Sequence, residues 1–185
     1  MGEYLKYNCE LRPSKETYVH HEHAAQGFHV VFAVDPAIIE FLHESYPTLR
    51  VKLLHQVSTL YEGLVASGQV TWGRNLFLVV DRFYLHIFLL DNSKLVLYNQ
   101  FHINEFADYE KYIKMVLLQF KLNPEDQNNR IWGYFADKSK HFQEFQHLVP
   151  NLKLGSRPSN MRFGYVFDEV QEHQYVDSFG TYLCR

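Results

Sequence analysis

Residues 76–101, LFLVVDRFYLHIFLLDNSKLVLYNQF, decide the fold class of this chain. They hold three runs rich in Val, Ile, Leu, Phe and Tyr, the residue types favoured in β-strands, at Leu76–Asp81, Tyr84–Leu90 and Lys94–Phe101. The links are short, and Asp91-Asn92-Ser93 is a turn signal. Because short links join antiparallel neighbours, the stretch predicts a three-stranded antiparallel sheet, and this sheet carries no glycine.

The residues after this sheet predict alternating helices and strands. The predicted elements are a helix over Asn104–Phe120, a strand over Arg130–Ala136, a helix over Lys138–Leu148, and strands over Leu152–Gly155 and Tyr165–Val170 before a terminal helix over Val176–Leu183. Strands linked by helices run parallel. Three antiparallel strands followed by helix-linked parallel strands are the order of a ribonuclease H-like unit, a mixed sheet with helices on both faces.

The residues before the sheet predict a shorter segment of the same kind. Tyr4–Leu11 is a candidate strand and Pro13–Gln26 is predicted to be a loop. The remaining elements are a strand over Phe28–Val34, a helix that begins at Asp35-Pro36 and ends before Pro47, a strand over Leu49–Leu54 and a helix over Gln56–Ala66.

A short repeat supports an internal duplication. Residues 45–51 read SYPTLRV and residues 148–154 read LVPNLKL, so that Pro47 and Pro150 each stand between a predicted helix and a predicted strand. We therefore expect an incomplete first ribonuclease H-like half over residues 1–69, with an irregular N-terminal segment, and a complete second half over residues 70–185. Either residues 1–27 replace the missing strands or an N-terminal portion is absent.

Two such units in tandem resemble the actin-like ATPase fold of actin, sugar kinases, heat-shock chaperones and bacterial pilus-assembly and cell-division ATPases. Over roughly residues 28–185 the chain also resembles an uncharacterised bacterial family of unknown function with that fold. The similar stretches are Val31–Asp35 with the helix after it, Lys94–Phe101, and the helix over Asp108–Leu122. The resemblance implies a fold and supplies no activity, and members of the family are typically longer at the N-terminus.

The ATPases of this fold hold phosphate in a tight turn of small residues after the first strand of each half. Asp81 ends that strand here and is a candidate ligand, but bulky Arg82 and Phe83 follow it and would obstruct a close approach of the backbone to phosphate. Gly155 is the candidate on the adenine side. Asp81 alone does not organise Mg²⁺, so ATP with Mg²⁺ is expected only under the nucleotide-binding alternative.

Composition argues against several other classes of function. The formal net charge is −3 and Lys and Arg are scattered, which disfavours nucleic-acid binding. No apolar run approaches the roughly 20 residues that span a bilayer, and Met1–Lys6 lacks the apolar stretch of a secretory signal, so a cytoplasmic protein that binds no membrane is expected. In such a protein, Cys9 and Cys184 are expected to be free thiols.

No catalytic or metal-binding cluster emerges from the sequence. His20, His21 and His23 fall in the predicted loop without the Cys or second pair of ligands that zinc sites use, so no metal is expected. No Gly-x-Ser-x-Gly elbow is present. His86 is predicted to be a satisfied histidine in a strand, and the junctions between elements hold His55, His102 and His173.

Two functions remain after these exclusions. The first is a non-catalytic module that binds a protein partner and needs no cofactor, with Arg82 and Phe83 as the recognition surface; the aromatic content of 16% fits this use. The alternative is a protein that binds or hydrolyses ATP like the actin, heat-shock chaperone or pilus-assembly ATPases.

Overall fold

The computed structural model of the chain describes residues 5, 7, 12, 15–136 and 138–184. In chain order its elements are β1 (Thr17–His23), β2 (Phe28–Val34), α1 (Pro36–Ser45), α2 (Gln56–Ala66), β3 (Arg74–Val80), β4 (Tyr84–Asp91), β5 (Lys94–His102), α3 (Phe106–Gln119), a 3-10 turn (Pro124–Asp126), β6 (Asn128–Gly133), α4 (Lys140–Leu148), β7 (Lys153–Leu154), a second 3-10 turn (Tyr165–Phe167) and α5 (Val176–Leu183).

The main sheet has five strands in the order β5-β4-β3-β6-β7. β3, β4 and β5 pair antiparallel, as the sequence predicts, while β6 runs parallel to β3 and β7 parallel to β6. The register places Val80, the last residue of β3, opposite both Leu85 of β4 and Gly133 of β6. The carboxyl ends of β3 and β6 therefore meet at one edge of the sheet.

Helices cover both faces of this sheet. Because side chains alternate along a strand, β3 sends Leu78 to one face and Phe77 to the other. The first face meets α3 and α4 in a core that includes Leu78, Ile113 and Phe145. The second meets α2 and α5 in a core that includes Phe77, Leu64 and Val176. The predicted α/β architecture is confirmed, and the carboxyl edge lies between two pairs of helices.

Local capping sets where the helices begin. The Asp35 side chain accepts a hydrogen bond from the Ala37 amide at 2.9 Å, with Pro36 in the first turn, so α1 begins as predicted. α4 begins at Lys140 instead of Lys138, because Lys138 has φ +62° and Ser139 caps the helix.

Three predicted elements are wrong in the structure. The predicted loop over Pro13–Gln26 contains β1, which pairs antiparallel with β2 in a separate two-stranded sheet. β1 accommodates polar residues because its alternate side chains, including those of Tyr18 and Glu22, are exposed to solvent. Leu49–Leu54 forms no strand, because neither sheet supplies it with a pairing partner. Tyr165–Val170 holds a 3-10 turn, and Tyr165 is 85% exposed.

The repeated motif takes two different conformations. Pro150 leads into β7, which pairs with β6, whereas the residues after Pro47 are irregular. α2 lies before the predicted boundary between residues 69 and 70, and it packs against β3, which lies after it. Core contacts therefore cross that boundary. The division into halves at that point stays a prediction. The candidate strand Tyr4–Leu11 lies largely outside the described residues.

Candidate functional site

Three adjoining cavities lie at the carboxyl edge of β3 and β6. Their volumes are about 270, 300 and 420 Å³, and we call them the α5 cavity, the α3 cavity and the turn cavity, after the element beside each. Val80 and Tyr134 line all three, and Arg82 lines the last two. Open α/β sheets commonly bind ligands outside the carboxyl ends of their strands, so this edge is the candidate site.

Asp81 lines the α5 cavity and the turn cavity, and its exposed carboxylate accepts two hydrogen bonds from the rest of the chain. One oxygen accepts a hydrogen bond from the Arg82 backbone amide at 2.6 Å, and the other accepts one from the Gln56 side chain at 3.2 Å. The Asp81 amide donates to the Tyr84 carbonyl at 2.9 Å and closes the turn between β3 and β4. Through these hydrogen bonds Asp81 stabilises the turn between β3 and β4.

The side chains after Asp81 point away from the sheet. The Arg82 guanidinium lies over the Phe83 ring, 5.0 Å from its centroid, and Phe83 is 51% exposed. Nearby, Tyr134 is 79% exposed and its ring lies 6.3 Å from that of Tyr175, which is 50% exposed. We call Arg82, Phe83, Tyr134 and Tyr175 the Tyr134 surface. The sequence predicts its first two residues as a recognition surface, and Tyr134 lines two of the cavities that Arg82 lines.

The segment that precedes α5 forms part of the lining of the α5 cavity. His173 Nε2 donates to the Phe135 carbonyl at 2.7 Å, and the His173 carbonyl accepts from the Gly133 amide at 3.0 Å. Gly133 has φ +155°, and a β-carbon there would lie 2.8 Å from the Val80 carbonyl oxygen. Gly133 is therefore required where β6 leaves the sheet, and His173, which is buried, has a structural role.

Gly155, the candidate on the adenine side, packs against the buried side chain of Trp132. It lies flat against the Trp132 indole, and a β-carbon at Gly155 would overlap the ring. The indole N–H donates to the Ser156 carbonyl at 3.0 Å, and the Ser156 amide donates to the Gln69 side chain at 3.1 Å. Gly155 is not among the residues that line the three cavities.

His86 is buried on the face of the sheet that carries α2. Its Nδ1 is hydrogen-bonded to the Tyr98 hydroxyl at 3.0 Å, whereas its Nε2 has no partner among the described residues. Burial lowers the pKa of His86 to about 4, although the nearby carboxylates of Asp81 and Asp177 act in the opposite direction. Burial also lowers the pKa of His55, which caps α2 by accepting from the Val57 amide.

The N-terminal histidines lie on β1 instead of in a loop. His23 is buried, stacks on Phe28 and donates from Nδ1 to Glu62 at 2.7 Å, which ties the hairpin to α2. Burial and the Lys52 charge lower the pKa of His21. Among the described residues, no group of three or more His, Cys, Asp or Glu side chains is arranged to hold a metal ion.

The remaining candidates are not among the residues that line the three cavities. Cys184 is a free, buried cysteine, and burial raises the pKa of its thiol to about 11. Cys9 lies outside the described residues. His102 ends β5 and meets the Tyr84 ring edge-on at 5.4 Å.

Across the part of the chain that the structure describes, no helix is both long and apolar enough to cross a membrane.

Sequence reasoning missed Gly133, Tyr134 and Tyr175. A glycine that ends a strand at the carboxyl edge of a parallel pair was the available signal for Gly133 and for the exposed residue after it. Tyr175, with φ +57° before α5, had no signal in the sequence because its position depends on how α5 packs.

Comparison with known proteins identifies the family. Residues 1–152 match a family described as "Protein of unknown function (DUF3822)". The chain belongs to the DUF3822 family. No curated protein matches this DUF3822 chain.

A solved structure shares the fold of this DUF3822 protein. It comes from Bacteroides thetaiotaomicron and is described as a protein with actin-like ATPase fold and unknown function. The TM-score is 0.73 at 18% sequence identity, and the match covers 99% of this chain and 65% of that chain. The predicted fold and the predicted resemblance to an uncharacterised family are both confirmed, and the likeness carries no activity.

Proposed function

We propose that this protein is a non-catalytic interaction module that binds a protein partner through the Tyr134 surface. The observation that carries the proposal is the exposure of three aromatic side chains at the carboxyl edge of the sheet, where Phe83, Tyr134 and Tyr175 are 51%, 79% and 50% exposed. Aromatic residues and arginine are enriched in protein interfaces, and they carry much of the binding energy there.

The residues at this edge do not fit a cradle for ATP and Mg²⁺. Both Asp81 oxygens already accept hydrogen bonds from Arg82 and Gln56, and the turn that would approach phosphate carries bulky side chains. Gly155 lies against Trp132. These features support the interaction module over the alternative, in which the protein binds or hydrolyses ATP.

The proposal places the protein in the cytoplasm, with a protein as its partner and neither nucleic acid nor a membrane. The net charge of −3 and the scattered Lys and Arg support a protein partner, because nucleic acids and anionic lipids are bound by clustered basic residues.

A nucleotide screen separates the two functions. The protein is heated with ATP, ADP or GTP, with and without Mg²⁺, and its melting temperature is followed. A ligand present at 100 times its dissociation constant stabilises the fold by about 2.7 kcal/mol, which such a screen detects. We expect no shift with any nucleotide. A reproducible shift that calorimetry confirms as binding would overturn the proposal in favour of nucleotide binding.

Partner capture tests the surface itself. Tagged protein is cross-linked in cells of the source organism, and the bound proteins are quantified for the wild type, for Phe83→Ala with Tyr134→Ala, and for Trp72→Ala. Trp72 is the matched control, because it is 90% exposed and precedes the opposite end of β3. We expect the double variant to lose a partner that Trp72→Ala retains, with circular dichroism unchanged. Equal recovery would refute the assignment of this surface.

A further inference from the structure

The α3 cavity is lined in part by Arg82 and Tyr134 of the Tyr134 surface. Its base and its mouth differ in polarity. Its base is apolar and is built mainly from Ile103, Phe106, Tyr109, Phe135 and Phe145. Its mouth is polar, with Arg82, Asn104, Glu105 and His141. A pocket with an apolar floor and a few polar groups at its opening is suited to one apolar group that carries a polar neighbour.

The aromatic rings of the base support one another. The Phe145 ring lies 5.4 Å from that of Phe106 and meets that of Tyr109 edge-on at 5.0 Å. Burial raises the pKa of Tyr109, so its hydroxyl stays neutral. Phe135 stacks on Phe142 at 6.1 Å and Phe142 is buried in the core. Ring pairs in offset-stacked and edge-to-face geometries are favourable, so these contacts stabilise the base of the pocket.

The mouth carries a cation, the guanidinium of Arg82. Among the described residues no carboxylate lies within 4.0 Å of the Arg82 guanidinium, which lies over the Phe83 ring. Asp81 is adjacent in sequence, yet it bonds the Arg82 backbone amide. Glu105 lies on the same mouth and repels a second acid near α3, so a partner carboxylate is favoured on the Arg82 side.

We propose that the α3 cavity receives a large apolar side chain of the protein partner, with an acidic residue beside it that pairs with Arg82. This inference rests on the proposed function, because it names the partner chemistry of the same surface. The volume of about 300 Å³ is at the lower end of small-molecule pockets, which range over roughly 300–1,000 Å³, and suits one side chain. Anchors of this kind dominate the energy of many interfaces.

Three matched peptides test the chemistry. ¹⁵N-labelled protein is titrated with acetyl-Gly-Asp-Phe-Gly-amide, with the same peptide carrying Asn for Asp, and with the same peptide carrying Ala for Phe. We expect the first to bind with a dissociation constant in the millimolar range and to shift the amide signals of residues 103–109 and 134–145. The Asn peptide should bind at least threefold more weakly, and the Ala peptide should not bind.

Two variants and one control assign the contacts. Arg82→Gln should abolish the preference for the Asp peptide over the Asn peptide, and His141→Trp, which places a larger ring at an exposed rim position of α4, should block both. Arg162→Gln is the control, because Arg162 is exposed and is not among the residues that line the three cavities, and it should leave the preference unchanged. Absence of shifts with the Asp-Phe peptide, or equal shifts with the Ala peptide, would refute the anchor pocket. An unchanged preference in Arg82→Gln would refute the role of the cation.

The outcomes also separate this inference from the function on which it rests. If the partner is lost from the Phe83→Ala, Tyr134→Ala double variant while no peptide binds, the surface stands and the pocket is refuted. If the Asp-Phe peptide binds as expected while partner capture is unchanged, the pocket stands and the Tyr134 surface is refuted as the docking site.

Discussion

Gly180 of α5 lies directly against the backbone carbonyl of Thr59 in α2, with no room for a β-carbon between the two helices. Gly63 of α2 makes the reciprocal contact, because a β-carbon there would meet the carbonyl of Val176. The two glycines let the helix backbones touch. This contact positions the first turn of α5, which lines the α5 cavity at the carboxyl edge.

Replacing Gly180 by Ala should destabilise the protein by about 1–3 kcal/mol, because backbone atoms of Thr59 and Gly63 in α2 obstruct the added methyl group. Urea unfolding followed by circular dichroism measures the loss as a lower transition midpoint. Gly164→Ala is the control, since nothing lies within 4 Å of a β-carbon built there. We expect Gly164→Ala to change stability by less than about 0.5 kcal/mol. Equal stability of the two variants would contradict the helix contact.

Gly155→Ala should lower stability by about 1–3 kcal/mol, because the new methyl group would overlap the Trp132 indole. The intrinsic fluorescence of Trp132 should shift as the ring moves, which provides a second readout. Combining Gly155→Ala with Trp132→Phe should cost less than the sum of the two single changes, because the smaller ring makes room. Strictly additive costs would show that the two residues are not in contact.

Stability should fall in acid because of His86. Burial lowers the pKa of His86 to about 4, below its ordinary value of 6.5. Between pH 6.5 and 4 the unfolded chain therefore takes up a proton that the folded chain excludes, so stability is complete above pH 6.5 and is lost as the pH falls towards 4. A difference of this size corresponds to roughly 3 kcal/mol. Urea unfolding at intervals from pH 7 to pH 4.5 measures the loss.

The control for His86 is His86→Gln, which retains a polar side chain and does not titrate in this range. Its stability should be lower at pH 7, because its hydrogen bond to Tyr98 is altered, but it should depend less on pH than that of the wild type. The same dependence on pH in both proteins would assign the acid sensitivity to other histidines, of which His21 and His55 also have lowered pKa values.

Asp81→Ala should cost about 1 kcal/mol, because it removes the acceptor for the Arg82 amide and the Gln56 side chain. Asp81→Asn retains an acceptor oxygen and should cost less. Thermal unfolding of the two variants beside the wild type checks this order. If Asp81→Asn lost as much stability as Asp81→Ala, the negative charge of the carboxylate would contribute to stability. The hydrogen bonds of the turn require only an acceptor oxygen, so that result would contradict the prediction.

The main sheet was predictable because its information is local. Strongly apolar runs at Leu76–Asp81 and Tyr84–Leu90, separated by a short turn, leave few alternatives to antiparallel pairing. The bounds of β2, α2 and α5 agree with the prediction residue for residue. β1 escaped prediction because its polar residues are stabilised by pairing with β2, a contact that composition does not reveal.

The candidate site was predictable only in part. Asp81, Arg82 and Phe83 are contiguous, so their place at a strand end follows from the sequence. Tyr134 and Tyr175 are 41 residues apart and meet because the Gly133 amide bonds the His173 carbonyl. The contact of Gly155 with the Trp132 ring, which leaves no room for a side chain, could not be predicted because the two residues are 23 positions apart.

The sequence by itself determined the three antiparallel strands, the order of helices after them and the bulky turn that follows Asp81, because strand propensity, helix periodicity and steric bulk are properties of neighbouring residues. Only the tertiary structure decided that the Asp81 carboxylate accepts hydrogen bonds from Arg82 and Gln56, and that Tyr134 lines the α3 cavity. These properties depend on distances between residues far apart in the chain, which packing alone sets.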